Sequence, residues 1–214
     1  DFIIFDLGGA STEVTLVKNR HIVKAVSLPI GALTLTGTYQ KGDEYTPKEL
    51  EKMTKAVKKT IKEHYWLHNV KLPLLGIGGT ARNIAKIDQR KLSYPITKLH
   101  NYELPYHRFH EILEDVKGKS LEARKKISGL SSERADIIIA GLTIVDELFN
   151  YVNAKTLVVG GCGLREGLFY DYYGEYYLGG NSIIDDILVH STENVLLGMT
   201  KHELVHAKYI TKLA

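Results

Sequence analysis

The chain opens on short β-branched and aromatic stretches, FIIFD, EVTLVKN and HIVKAVSL, separated by GGAST and NR. That is the pattern of three consecutive antiparallel strands joined by short turns. In the second stretch, alternation puts Val14, Leu16 and Lys18 on one face. The period then changes. TPKELEKMTKAVKKTIKEHYWL carries Leu50, Met53, Val57 and Ile61 at spacings of three and four, with Thr46 as N-cap, Pro47 at the first helical position and Glu49 completing a capping box. An amphipathic helix with a basic outer face is expected. KLPLLGIGG, an apolar strand ending in glycines, runs directly into the helical TARNIAKI and makes a βα unit. Residues 91–130 hold Pro95, Pro105 and one helix over roughly 105–117, and read as a connecting segment. SSERADIIIAGLTIVDELFNYV, residues 131–152, is apolar on nearly every side from Ile137 to Val145 and predicts a central helix packed on both flanks. Gly141 sits in its middle, where glycine costs ~1 kcal/mol relative to alanine, a cost that close approach of another backbone would explain. TLVVGGCGLREGLFYDYYGEYY repeats the strand, glycine, helix theme, so the element order is βββ-α-β-α-β-α. After Gly179-Gly180 the character becomes acidic and helical, which puts a domain boundary near residue 180: residues 1–180 as one domain and 181–214 as a short helical segment.

Length and composition narrow the class of protein. A chain of 214 residues buries a sizeable core unaided. The formal charge of +3 is too small and too dispersed to announce nucleic-acid or membrane binding. The single cysteine, Cys162, rules out an internal disulfide framework, fits a reducing cytoplasm and reads as a small buried residue. No apolar run approaches the roughly 18 residues of a membrane span, and the N-terminus lacks a secretory pattern, so a cytoplasmic location is expected. The chain enters a strand pattern at Asp1 without a methionine and ends in the helical HAKYITKLA. A piece of a longer protein is the expectation.

Three apolar strands end in glycine pairs: Gly8-Gly9, Gly78-Gly79 and Gly160-Gly161. Glycines after a strand leave backbone N–H groups unobstructed, and such donors cradle phosphate oxygens. The first turn, FDLGGASTE, carries more than backbone. Asp6 at the strand end can orient water or a hydrated Mg²⁺, Ser11 and Thr12 can donate to phosphate, and Glu13 follows at the start of the next strand. The pattern G-x-x-x-x-G-K-[ST] is absent, which excludes a P-loop, and G-x-G-x-x-G is absent too. On the local residues alone, a plain hairpin turn with a surface acid stays open.

DLGGASTEV, GIGGTARNIAKI, LSSERADIIIAGLTIV and VVGGCGLREGLFYDY, in this order, resemble the exopolyphosphatase/guanosine pentaphosphate phosphatase (Ppx/GppA) family. That family belongs to the superfamily of actin, sugar kinases and heat-shock chaperone ATPases, and the match runs over roughly residues 1–175. The resemblance implies an RNase H-like (actin-like ATPase) α/β lobe, with a mixed sheet flanked by helices. It implies hydrolysis of the terminal phosphate of inorganic polyphosphate or of a guanosine alarmone, with Mg²⁺ as cofactor. Carried onto this sequence, Asp6, Gly8, Gly9, Ser11, Thr12, Gly78, Gly79 and Thr80 bind phosphate. Glu13 is the catalytic residue, and Asp6 and Glu13 place the metal. Glu133, Arg134 and Asp136 match the family's ERAD run, read as partly structural, while Arg165 and Glu166 read as a helix-opening ion pair.

The sequence departs from the family twice. Ala10 replaces a third glycine of the loop, and nothing in the chain corresponds to the family's preceding lobe, with its DxGSNS-like turn and catalytic glutamate. Half an active site is therefore expected, with the N-terminal lobe of the same protein as its partner and the isolated chain inactive. A homodimer through the exposed side of the Gly141 helix, or through edge strands, is a further expectation. The alternatives are an ATP-dependent kinase or ATPase of the same superfamily, and a noncatalytic module binding polyphosphate or nucleotide.

Residues 202–206, HELVH, form a formal H-E-x-x-H. A zinc protease needs a third ligand, and no His, Asp or Glu follows His206. The resemblance offers another account: HAKYITKLA looks like the opening of the all-helical, HD-phosphohydrolase-like domain of longer family members. The pairs His64/His68 and His107/His110 read as surface or packing residues.

Overall fold

In the computed structural model, which describes residues 1–177, 179–180, 184, 186–196, 198 and 200–213, the three β-branched stretches become β1 (Phe2–Leu7), β2 (Thr12–Lys18) and β3 (His21–Leu28), paired antiparallel in series. The first strand also pairs, in parallel, with β4 (Leu74–Ile77), and β4 pairs in parallel with β6 (Thr156–Val159). A further strand, β5 (Tyr102–Pro105), lies antiparallel on β6 and closes a six-stranded mixed sheet of order β3-β2-β1-β4-β6-β5. This last strand falls inside the segment read as a connection. It is four residues long and ends in proline, which is tolerated because β5 is an edge strand. In β2, alternation breaks at a bulge between Leu16 and Val17, so Val17 takes the buried place and Lys18 turns out to solvent.

Ile3, Phe5 and Leu7 of β1, Leu74 of β4, and Leu157 and Val159 of β6 point to one buried face. Against that face stand α1 (Ala32–Tyr39), α2 (Pro47–Lys62), α3 (Gly78–Lys91), α4 (Tyr106–Lys117) and α6 (Ile138–Val152), which share one apolar cluster with it. Each fully buried large side chain contributes roughly 2 kcal/mol. The capping box of α2 is present as expected: Glu49 N–H donates to Thr46 Oγ1 at 3.3 Å and Thr46 N–H to Glu49 Oε2 at 2.7 Å. A one-turn helix, α5 (Leu121–Arg124), follows α4.

The central helix starts later than its apolar run suggests. Residues Ser132–Arg134 form a 3₁₀ turn, and α6 begins at Ile138. Every residue from Ile138 to Val145 is buried, against α1, α2, α3 and α4 of the same chain. The exposed apolar side expected to support a dimer does not exist on this stretch. Gly141 is needed inside the lobe: a Cβ there would lie 2.9 Å from Thr80 Cγ2. The close neighbour is thus a side chain of α3, rather than the backbone of another lobe.

The described chain divides into two compact units, Asp1–Gly163 and Leu164–Ala214. The second consists of α7 (Leu164–Tyr177), α8 (Ile187–Leu196) and α9 (Lys201–Leu213). Cys162 is exposed, contrary to the expectation of a buried thiol, because it sits in the glycine turn after β6 instead of on a strand. Among the described residues no helix is long and apolar enough to cross a membrane.

Candidate phosphate site

Parallel pairing aligns the carboxyl ends of β1, β4 and β6, and each strand runs directly into one of the glycine pairs. The three turns therefore lie along one edge of the sheet, where open α/β sheets bind ligands. Gly78 has φ +91°, a left-handed conformation that glycine adopts without strain. A Cβ on it would stand 2.9 Å from Asp6 Oδ1, so the missing side chain lets the second turn close against the first.

Hydrogen bonding sorts the donors. In the first turn Gly8 N–H donates to Ser11 O at 3.0 Å, which commits it to the turn and removes it from the phosphate-binding set. The carbonyls of Gly8 and Gly9 accept from the first amides of α1, Ala32, Leu33 and Thr34, at 2.9–3.1 Å. The N–H groups of Gly9, Ala10 and Ser11 remain without an acceptor among the described residues, so Ala10 brings a donor that a glycine count overlooks. In the third turn Gly160 N–H donates to Gly76 O at 2.9 Å and Gly161 N–H to His100 Nδ1 at 3.1 Å. That turn holds the sheet edge together and offers neither amide.

The hydroxyls take different roles from those expected. Thr12 is fully buried and its Oγ1 donates to Ile30 O at 2.7 Å, so it anchors the chain entering α1 and is not exposed to phosphate. Ser11 Oγ donates to Glu13 Oε1 at 2.7 Å, and Ser27 Oγ of β3 donates to the same oxygen at 2.7 Å. An ionised carboxylate only accepts, so both serine protons are committed to Glu13. What Ser11 leaves free for a ligand is its backbone amide.

Asp6 and Glu13 are direct cross-strand partners on β1 and β2. Burial pushes the Asp6 carboxyl above the usual range, the Glu13 charge adds to this, and Arg82 opposes it. Glu13 is held below its usual range, first by the Ser27 hydrogen bond and then by that of Ser11. Like charges placed opposite one another on a sheet repel. Two opposed oxygen donors, one kept ionised by hydroxyls, fit a hard cation such as Mg²⁺, which takes few protein carboxylates and fills its shell with water and phosphate oxygens. Among the described residues there is no group of three metal-ligating side chains, here or around the HELVH run. In that run Glu203 caps α9, its Oε2 accepting from Thr200 N–H at 2.8 Å.

The second turn opens α3. Its N-cap, Ile77, has no capping side chain, so no side chain takes up the first amides of the helix, those of Gly78, Gly79 and Thr80. Thr80 contributes its N–H alone, because its side chain is buried beneath Gly141. Arg134, from the 3₁₀ turn before α6, lies directly over Gly79, where any Cβ would collide with its guanidinium. Asn83 fixes this arrangement: its Nδ2 donates to Gly79 O at 2.8 Å and its Oδ1 accepts from Ser131 N–H at 2.9 Å. Behind it Arg124, fully buried, donates from Nε to Ala135 O at 2.8 Å and from Nη1 to Lys119 O at 3.2 Å. Arg82 Nε donates to Gly78 O at 3.2 Å. Sequence pattern gives Arg134 a partly structural role and assigns none to Ser27, Asn83, Arg82 or Arg124. No sequence spacing joins Ser27, Arg124 or Arg134 to the loops; only the i, i+4 steps from Gly78 to Arg82 and from Gly79 to Asn83 carry a signal.

A mixed sheet with helices packed on it, its glycine turns aligned at the carboxyl edge of the parallel strands, defines a lobe of the actin-like ATPase fold. The solved PPX-GPPA enzyme of Aquifex aeolicus matches it with a TM-score of 0.69 and 29% identity, over 78% of this chain and 56% of that one. The model of the Ppx/GppA phosphatase family matches residues 1–175, and the chain belongs to that family. Among its curated relatives, exopolyphosphatase 2 of Mycobacterium tuberculosis is 27% identical over 151 residues, 69% of this chain and 46% of that protein. The guanosine-5'-triphosphate,3'-diphosphate pyrophosphatase of Pseudoalteromonas translucida is 26% identical over 175 residues, 82% of this chain and 34% of that protein. The chain spans less than half the length of these curated relatives.

Proposed function

We propose that the lobe binds the terminal phosphate of inorganic polyphosphate, or of guanosine pentaphosphate, and presents it to water for hydrolysis. The observation that carries this reading is the meeting of Arg134 with the uncapped N-terminus of α3. A guanidinium beside the positive end of a helix dipole is unfavourable by itself, and a bound anion reverses the sign. The amides of Gly9, Ala10 and Ser11 supply further donors on the adjoining turn, and phosphate is the anion whose several oxygens use them all.

In this reading Arg134 and the α3 amides hold the non-bridging oxygens. Asp6 and Glu13 would hold Mg²⁺, which supplies charge neutralisation on the phosphate when bound. Glu13, kept ionised by Ser11 and Ser27, orients the attacking water. The shorter span of the chain relative to its relatives supports a second lobe as the facing wall and as the source of a further catalytic acid or base. The chain by itself therefore binds phosphate ligands and turns them over negligibly.

Titration calorimetry with tripolyphosphate and with guanosine pentaphosphate, with and without Mg²⁺, tests the binding, and a phosphate-release assay tests the turnover. Binding that Arg134→Gln abolishes supports the reading. Binding that survives it unchanged rejects the site, and rapid release by the chain alone rejects the two-lobed division.

A further inference from the structure

The outer surface of α3 has a simple composition. From Thr80 to Arg90 every residue is buried except Arg82, Lys86 and Arg90. They stand four residues apart, so they share one face and climb the helix in steps of about 6 Å, spanning about 12 Å. The lower end is at the candidate site, where Arg82 donates to the Gly78 carbonyl and its charge acts on Asp6. The upper end opens into a cavity of about 710 Å³, whose lining includes Lys86 and Arg90, the hydroxyl residues Ser93, Thr97, Ser128 and Ser131, and Tyr94.

Two features set this cavity apart from an ordinary solvated face. No carboxylate lines it, although Asp and Glu number 25 in the chain. Lys86 and Arg90 form no ion pair among the described residues, whereas Lys91, their neighbour on the same helix, pairs with Asp115 at 3.5 Å. The cavity also has a firm wall. Gly129, at φ +94°, lies against the α3 backbone so closely that a Cβ would stand 2.6 Å from Lys86 O and Ile87 N. From that wall the chain runs through Ser131, bonded to Asn83, straight to Arg134 over Gly79. Cavity and phosphate turn are thus two ends of one continuous basic surface.

We infer that Arg82, Lys86 and Arg90 form a track for the distal part of a linear phosphate polymer whose terminal phosphate occupies the glycine turns. The inference rests on the proposed function and adds to it the choice of substrate, favouring a long chain over a short one. A single small anion would engage one cation. Three at regular intervals along a line suit a ligand with regularly repeated charge. A nucleic acid carries such charge as well, but stacking successive bases needs a series of aromatic platforms. Among the described residues Tyr94 is the single aromatic lining the cavity, while the residues between the three cations are buried in the core.

The test compares binding of long-chain inorganic polyphosphate, tripolyphosphate and a single-stranded RNA oligomer to the full 214-residue chain, to Lys86→Gln/Arg90→Gln, and to a charge-matched control, Lys24→Gln/Lys59→Gln. All four positions are exposed, so circular dichroism melts should coincide. The expected result is a loss of about tenfold or more for long polyphosphate in the track variant, with a shallower salt dependence, tripolyphosphate unchanged and the control like wild type. Equal losses for both phosphates, the same loss in the control, no loss at all, or RNA bound as tightly as polyphosphate through these residues would each overturn the track. If wild type binds tripolyphosphate and the track variant is unaffected, the track alone falls. If wild type binds neither phosphate, the proposed function falls with it.

Discussion

Arg134 rests its guanidinium on Gly79, at the open first turn of α3, and Asn83 ties both segments together through one side-chain amide. The glycine is the condition for this contact, and the contact puts a fork of donors beside the uncapped first turn of the helix.

Gly79→Ala should therefore displace Arg134 without touching the backbone donors. Affinity for tripolyphosphate is expected to fall by about tenfold, the equivalent of one charge-assisted hydrogen-bonded contact. Arg134→Lys should lose part of this, since it keeps the charge and lacks the planar fork. Calorimetric titration checks both, and an alanine variant with wild-type affinity would remove Arg134 from the site.

The Asp6 and Glu13 pair predicts a trade between stability and metal binding. Asp6 has a raised folded pKa, so its contribution to stability is present below the ordinary carboxylate range and is lost as pH rises through the raised value. Asp6→Asn should raise Tm at neutral pH by about 2 °C and flatten its pH dependence, on the scale of a relieved like-charge pair. The same variant should lose any stabilisation by Mg²⁺. Differential scanning calorimetry across pH, with and without Mg²⁺, measures both effects.

Ser27→Ala removes the larger of the two hydrogen bonds that depress Glu13, so its carboxyl pKa should rise toward the ordinary value. In wild type the stabilisation from these bonds is present above that ordinary value and is lost as pH falls through the depressed one; the variant should lose it at a higher pH. A carbon-detected NMR titration of the Glu13 carboxyl reads this shift directly, and an unmoved midpoint would show that Ser11 alone holds the charge.

Gly141→Ala gains helix propensity worth ~1 kcal/mol and meets Thr80 Cγ2 at 2.9 Å. Overpacking should win and destabilise the lobe by about 1–3 kcal/mol. Adding Thr80→Ala should restore most of this loss, a coupling that urea denaturation of the full double-mutant cycle resolves.

Much of this protein was legible one segment at a time. The three opening strands, the capping box at Thr46 and Glu49, the βα step at Gly78 and the glycine pairs all follow from local period and turn chemistry. Those signals are short-range, and the structure repeats them. The motifs carrying the family resemblance are likewise contiguous, and the family match over residues 1–175 agrees with them.

Local pattern fails where a partner comes from elsewhere in the chain. β5 is as short as β4 and β6 but lacks their apolar run and ends in proline, so it reads as a strand only once β6 pairs with it, and the burial of α6 depends on four helices around it. Within FDLGGASTE the sequence determined which groups were present: an acid, amides, hydroxyls and a second acid. Tertiary structure decided their roles. Thr12 turns inward to Ile30, Ser11 joins Ser27 from β3 on Glu13, and Gly8 closes its own turn. A hydroxyl has one proton and an amide one N–H, so each donor goes to the acceptor the fold brings nearest. The approach of Arg134 to Gly79, 55 positions back along the chain, is set by packing between α3 and the turn before α6, and no spacing along the sequence records it.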